Sequence, residues 1–297
     1  MVRKAFRSTR TSDRASPKPR RSSPPPGRRG CSGFAAAARA RAAALLSAAL
    51  VPAAFLSAAP VARAQIPATI ERVKASVVGI GTFQKTRAPA FRFLGTGFAV
   101  GDGATIVTNA HVLPQVLEED KGETFAVLIP GPAREAQLRP ATRGADDPVH
   151  DLATLRIPGP PLPALPIRDS ESVREGESIL FTGYPIGAVL GPFPATHRGM
   201  VSAITPIAIP AAHSSQLKPE LIRRLGSGPF PVFQLDATAY PGNSGSPLYD
   251  PATGEVIGIV NMVFVKGTKE AALERPSGIT YAIPSRYLIE LRKGGAR

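Results

Sequence analysis

The sequence predicts an all-β protein built as a pair of barrels. Apolar runs of strand length recur along the chain, and its 32 Pro and 28 Gly fall largely between them, so the segments are short and punctuated. That spacing fits hairpin-connected strands and argues against the longer alternation of strand and helix in βαβ units.

Taken in order, Ala68 to Lys74 reads as a short helix and Val77 to Thr82 as the first strand. Residues 95 to 109 read as strand, Gly101-Asp102-Gly103 hairpin turn, strand. Later strand-length runs are Phe125 to Ile129, Leu152 to Ile157, Ser178 to Tyr184, Gly199 to Ile204, Val232 to Ala237, Glu255 to Val260 and Thr280 to Ile283. Ser285 has the chemistry of an N-cap for a last helix, Tyr287 to Arg292. A split near residues 165 to 175 divides the runs into a first barrel at about 75 to 165 and a second at about 175 to 284, with the helix at 285 to 293. The stretch Pro206 to Pro231, with a candidate helix at Pro219 to Leu225, is either a cover for the cleft or a solvated insertion.

The formal charge of +14 suggests nucleic acid as a partner, but its distribution argues against it. Residues 1 to 64 hold 13 Lys/Arg and one acid, which leaves 23 basic against 21 acidic residues, a net of +2, for the rest. The leader opens with about 41 residues rich in Arg, Ser, Pro and Gly, a composition that does not fold. The apolar run Ala42 to Ala59 and then Ala62-Arg63-Ala64-Gln65 follow, the order of a secretory signal peptide cut after Ala64. Arg20-Arg21 and Arg28-Arg29 leave a twin-arginine signal open, and an uncleaved anchor is the alternative to cutting. Export to the periplasm or medium is thus expected, with membrane contact only if the segment stays attached. The single cysteine, Cys31, lies in the leader, so the mature domain, residues 65 to 297, relies on its core without disulfides. No Cys/His cluster has metal spacing and no Gly-rich loop precedes a helix, so neither metal, nucleotide nor other cofactor is expected.

Ser244 lies in Tyr240-Pro241-Gly242-Asn243-Ser244-Gly245-Ser246-Pro247, a turn whose glycines let backbone N–H groups point inward beside an exposed hydroxyl. A serine nucleophile needs an imidazole to take its proton and a carboxylate to orient that imidazole. Of four histidines, His111 ends the hairpin at Thr108-Asn109-Ala110, whereas His150, His197 and His213 read as solvated or core-edge rings. Asp151 opens Asp151-Leu152-Ala153-Thr154-Leu155 at a strand start, while Asp146 and Asp147 sit in a turn-like cluster read as solvated. The order His111, Asp151, Ser244 disfavours the subtilisin order and the α/β-hydrolase order.

These three segments in register resemble the trypsin-like peptidases of the chymotrypsin fold, in particular the HtrA/Deg branch. Gly183-Tyr184-Pro185-Ile186-Gly187, Gly199-Met200-Val201-Ser202 and Gly278 to Ser285 are weaker echoes, and the likeness covers about residues 68 to 293. It implies two six-stranded β-barrels with a short C-terminal helix, with His111 and Asp151 on the first barrel and Ser244 on the second. It also implies Ser244 as nucleophile, His111 as general base and then acid, Asp151 as orienting carboxylate, and the N–H groups of Gly242 and Ser244 as oxyanion hole. The pocket for the residue before the cut would be walled by Thr238, Ala239 and Tyr240, then Val260, Asn261 and Met262, then Ile279, Thr280 and Tyr281, none of them charged.

The departures from the family pattern carry expectations too. Asn243 stands where digestive proteases have aspartate, so activation by a new N-terminus is not expected. Ser246 stands where HtrA members usually have glycine, a feature shared with glutamyl endopeptidases, but the strand Gly258 to Met262 offers no cationic group for a substrate carboxylate. The chain ends about four residues after its last helix, so no PDZ module is expected. The reading is an exported serine endopeptidase acting on protein or peptide substrates, with a catalytically silent protease-fold binding domain as the alternative and the oligomeric state open.

Overall fold

The computed structural model describes residues 58–131, 136–186, 193–206, 229–261 and 278–294. The leader up to residue 57, residues 207–228 with the candidate helix at Pro219 to Leu225, Met262 and His213 lie outside the described residues.

The strands are β1 (Val77–Phe83), β2 (Phe91–Val100), β3 (Thr105–Asn109), β4 (Thr124–Pro130), β5 (Ala136–Asp147), β6 (Leu152–Arg156), β7 (Ser178–Gly183), β8 (Ala195–Pro206), β9 (Pro231–Asp236), β10 (Pro247–Tyr249), β11 (Val256–Asn261) and β12 (Ile279–Pro284). They close into two barrels, β1-β2-β3-β6-β5-β4 and β10-β11-β12-β9-β8-β7, with the described neighbours antiparallel. Helix α1 (Ala58–Lys74) precedes them and α2 (Ser285–Gly294) follows.

The period-2 alternation of side chains explains how twelve strands make three apolar cores. In β1, Val78 and Ile80 join the interior of the first barrel with Ala99, Ile106, Val127 and Leu155, while Val77 faces the other way. Ile179, Phe181, Phe233, Leu235, Leu248 and Val260 fill the second barrel. Val77, Phe98, Val107 and Leu152 instead meet Tyr184, Tyr249, Ile259, Ile283 and Leu288 in a core shared by both barrels. Each such large apolar side chain contributes about 1.5–3 kcal/mol on burial, so this seam fixes the barrels against each other.

Both helices serve the seam. Ile66, Ile70 and Val73 of α1 recur at helical spacing and pack on the shared core, and Arg72 donates to the Thr253 carbonyl at 2.6 Å in the β10–β11 turn. The helix starts ten residues before the expected Ala68 and carries Pro67 within it. In α2, Tyr287, Leu288 and Leu291 pack on the same core. Ser285 is the first residue of that helix, not a preceding cap, and its hydroxyl donates to the Arg168 carbonyl at 2.6 Å.

Two strands escape the sequence reading. β5 is almost wholly solvent-facing, with only Ala141 buried, so it lacks an apolar face to announce it, and the expected turn at Asp146 and Asp147 is in fact its last two residues. β10 is three residues long.

One buried charge anchors the β1–β2 connection. Glu123 is 4% exposed, accepts from the Thr82 hydroxyl at 2.6 Å and pairs with Arg87 at 2.8 Å. The Thr82 hydrogen bond, then the Glu118 backbone N–H and Arg87, hold its pKa down to about 2 from the usual 4.5. A depressed folded-state value means a contribution present above the unfolded value and lost as the pH falls toward the folded one. Wild type is therefore expected to lose stability progressively between 4.5 and about 2, and Glu123→Gln to cost about 2 kcal/mol at neutral pH and to lack that slope. Thermal melts across the acid range check both; parallel profiles for the two proteins would contradict the assignment.

Candidate active site

His111 and Asp151 meet because β3 and β6 run side by side, with Asn109 opposite Leu152. The chain leaves β3 in a short 3-10 turn over Ala110–Val112, anchored by buried Val112 and Leu113. At the start of β6 the Asp151 carbonyl accepts from Ala110 N–H at 3.0 Å and from Asn109 Nδ2 at 3.1 Å. The His111 N–H then donates to Asp151 Oδ1 at 2.9 Å, and His111 Nδ1 lies 2.6 Å from Oδ2. Asp151 is fully buried, so its carboxylate needs these donors. With Nδ1–H directed at the carboxylate, Nε2 is left as the acceptor, and it lies 3.0 Å from Ser244 Oγ.

Ser244 comes from the second barrel, in the turn before β10. Gly245 N–H donates to the Val260 carbonyl and Val260 N–H to the Ser246 carbonyl, which tie the turn to β11. The first barrel grips the same turn through Thr96 of β2. Its N–H donates to the Ser244 carbonyl at 2.9 Å and its hydroxyl donates to the Gly242 carbonyl at 2.7 Å, while Tyr184 N–H donates to that hydroxyl at 3.0 Å. Thr96 eluded sequence reasoning; the available signal was a polar residue between two glycines in the apolar half of a strand.

Gly242 has φ 102°, a value that side chains resist. Ile186 N–H donates to the Pro241 carbonyl at 2.6 Å, and in a trans peptide the following Gly242 N–H points the opposite way. Ile186 itself has φ 59°, an uncommon conformation for a β-branched residue.

Behind the turn, Asn243 and Ser246 are fully buried. A Cβ added to Gly183 of β7 would collide with Ser246 Oγ and lie 2.9 Å from Asn243 Oδ1, so Ser246 fills the notch that Gly183 leaves open.

The expected pocket residues lie in several environments. Ala239 is buried, Thr238 and Tyr240 are half-buried, and Ile279 is 46% exposed. Val260 packs in the second-barrel interior. Thr280 is buried, its hydroxyl donating to the Ala237 carbonyl at 2.7 Å and accepting from Ala239 N–H at 3.2 Å. Tyr281 is half-buried opposite Gln234. Asn261 turns its amide to Asp151, Nδ2 to Oδ2 at 2.7 Å, so a residue expected in a pocket wall supports the carboxylate from the second barrel.

His197 stacks on Phe181 with ring centroids 4.8 Å apart and lies beside Tyr240; burial lowers its pKa. Asp147 is not the solvated side chain expected: it is half-buried and pairs with His150 at 2.5 Å. Among the described residues, no three His, Cys, Asp or Glu side chains cluster so as to hold a metal ion.

Two closed antiparallel barrels, with a serine of the second facing a histidine and a buried aspartate of the first, define a trypsin-like serine protease fold. The trypsin-like peptidase domain family matches residues 95–259, and the chain belongs to that family. Its relatives are of the HtrA type. The mitochondrial serine protease HTRA2 of Bos taurus is 34% identical over 68% of this chain and 36% of its own length. A probable periplasmic DegP-like serine endoprotease of Halomonas elongata is 31% identical over 65% of this chain and 33% of its own. The chain thus spans about a third of the length of these curated relatives. Among solved structures, the HtrA-type protease AlgW with a tripeptide superposes with TM-score 0.54 at 24% identity, covering 77% of this chain and 62% of that one. Deg5 superposes with TM-score 0.53, covering 77% and 92%.

The notch behind the Ser244 turn makes a specific prediction. Gly183→Ala is expected to lower stability by about 1–3 kcal/mol through overpacking, and adding Ser246→Gly to recover most of the loss. Denaturant unfolding of the two single variants and the double variant checks this; an additive double variant would contradict the packing.

Proposed function

We propose that the protein is an exported serine endopeptidase that cleaves peptide bonds through an acyl-enzyme on Ser244. The observation that carries this reading is the continuous chain from Ser244 Oγ through His111 Nε2 and Nδ1 to a fully buried Asp151.

In this reading Ser244 Oγ attacks the substrate carbonyl carbon as His111 Nε2 takes its proton. The buried Asp151 carboxylate stabilises the imidazolium that forms, and Asn261 and the His111 backbone N–H hold that carboxylate in place. The oxyanion meets the N–H groups of Gly242 and Ser244, a donor pair of which each member supplies on the order of 3 kcal/mol in comparable sites. The Ile186-to-Pro241 hydrogen bond supports that role, because it turns the Gly242 N–H away from Ile186. His111 then gives its proton to the leaving amine, and water, deprotonated by the same nitrogen, hydrolyses the ester.

The residues assigned to the pocket carry no charge, and the Thr280 hydroxyl is engaged by backbone. A charged side chain entering there would be desolvated without a partner at a cost of several kcal/mol. Small to medium apolar residues such as Val, Ala and Leu fit before the scissile bond. Export is supported by the basic, apolar, Ala-x-Ala order of the leader and by the periplasmic DegP-like relatives. Asn243 offers no carboxylate to a new N-terminus, so the form beginning at Gln65 is active without a further cut.

Ser244→Ala and His111→Ala are expected to abolish casein hydrolysis with unchanged melting temperatures, and Asp151→Asn to lower kcat by up to about 10⁴-fold. Casein turnover by Ser244→Ala equal to wild type would refute the reading. On the exported protein, mass spectrometry is expected to find Gln65 as the first residue and a peptide library to be cut after Val, Ala or Leu. A different first residue overturns the processing site, and dominant cuts after Arg, Lys or Glu overturn the pocket.

A further inference from the structure

We propose that His150 is a positioning residue for Asp151: paired with Asp147 and stacked on Tyr287, its ring holds the strained turn that presents the Asp151 carboxylate to His111. This rests on the reading of Ser244, His111 and Asp151 as the hydrolytic centre.

Asp151 has φ 56°, in the left-handed region. That conformation is unfavourable for a residue with a Cβ and persists where the surroundings over-determine it. On the C-terminal side the constraint is the β3–β6 ladder, together with the Asn109 and Ala110 donors to the Asp151 carbonyl. On the N-terminal side it is the turn from Asp147 to His150. Asp147 Oδ1 accepts from the N–H groups of Val149 at 3.0 Å and His150 at 3.1 Å, and Oδ2 lies 2.5 Å from His150 Nδ1. One carboxylate therefore closes the turn through both backbone and ring.

The ring is then fixed from the other side of the molecule. It stacks on Tyr287 of α2 with centroids 3.9 Å apart and planes 15° from parallel, and it meets the edge of Phe230, just before β9, at 4.9 Å. Tyr287 and Phe230 pack on each other at 5.5 Å, and Arg286 lies over the Tyr287 ring at 4.7 Å. Tyr287 and Phe230 belong to the core shared by the barrels. The turn that carries Asp151 is thus held by the second barrel and its helix, as the Ser244 turn is held by Thr96 of the first. His150 touches neither Ser244 nor the substrate side of His111 in any described contact, so its effect reaches the reaction only through the placement of Asp151. A misplacement of about 1 Å in such a centre costs on the order of 10²-fold in rate.

The test uses the full chain with three substitutions that divide the ring's two roles. His150→Phe keeps the stacking surface and loses the donor to Asp147; His150→Asn keeps a donor near the Nδ1 position and loses the stack; His150→Ala loses both. Asp146→Asn, exposed beside the turn, is the control. His150→Ala is expected to lower kcat about 10- to 100-fold with KM within about 2-fold of wild type. It is also expected to shift or abolish the downfield proton resonance of His111 Nδ1, identified by its absence in His111→Ala. His150→Phe and His150→Asn should fall between wild type and His150→Ala in both readouts, and they carry the test if His150→Ala does not fold. Wild-type kcat with an unmoved His111 resonance overturns the proposal, as does a change in KM alone or a loss explained by the unfolded fraction. A wild-type chain that binds but never cuts would refute the peptidase reading instead, and the resonance would still report whether His150 places Asp151.

Discussion

A carboxylate buried without solvent is the constraint on which the arrangement turns. Asp151 is fully buried, and an unpaired charge there would cost several kcal/mol, so the structure must bring donors to it. They come from both halves: His111, through backbone and ring, from the first barrel, and Asn261 from β11 of the second. The Asn261 donor therefore reaches the charge only when the barrels are docked. The apolar seam of Val77, Phe98, Leu152, Tyr184, Tyr249 and Ile283 provides the docking energy, and the polar contacts set the register.

The same crossing of halves recurs around the site. Thr96 of the first barrel holds both the Gly242 and the Ser244 carbonyls of the second, while Tyr287 and Phe230 hold the ring beside Asp151. Each side of the cleft is braced by the other. Backbone strain at Asp151 and Ile186 lies within this doubly held region, where surrounding contacts can sustain it.

Residues that meet through local turns were legible in the sequence: the hairpin ending at His111, the strand opening after Asp151 and the glycine-flanked turn at Ser244. Strands buried on both faces, such as β1, β6 and β11, were legible as apolar runs. β5 was not, because a barrel strand turned almost wholly to solvent carries neither alternation nor an apolar run. The supporting partners were also hidden. Thr96 is 148 residues from Ser244, Asn261 is 110 from Asp151 and Tyr287 is 137 from His150 in sequence, and their roles exist only after the barrels close. Asn261 shows the limit well: its strand was identified, but which way its amide would turn depended on where Asp151 came to rest.

The most direct measurement is covalent labelling of the chain by a fluorophosphonate, followed by intact mass and peptide mapping. Such a probe reacts with a serine only where a base activates the hydroxyl and N–H donors receive the developing charge. One adduct per chain is expected, on Ser244, lost in His111→Ala. An unlabelled wild-type chain, or an adduct elsewhere with Ser244 unmodified, would contradict it.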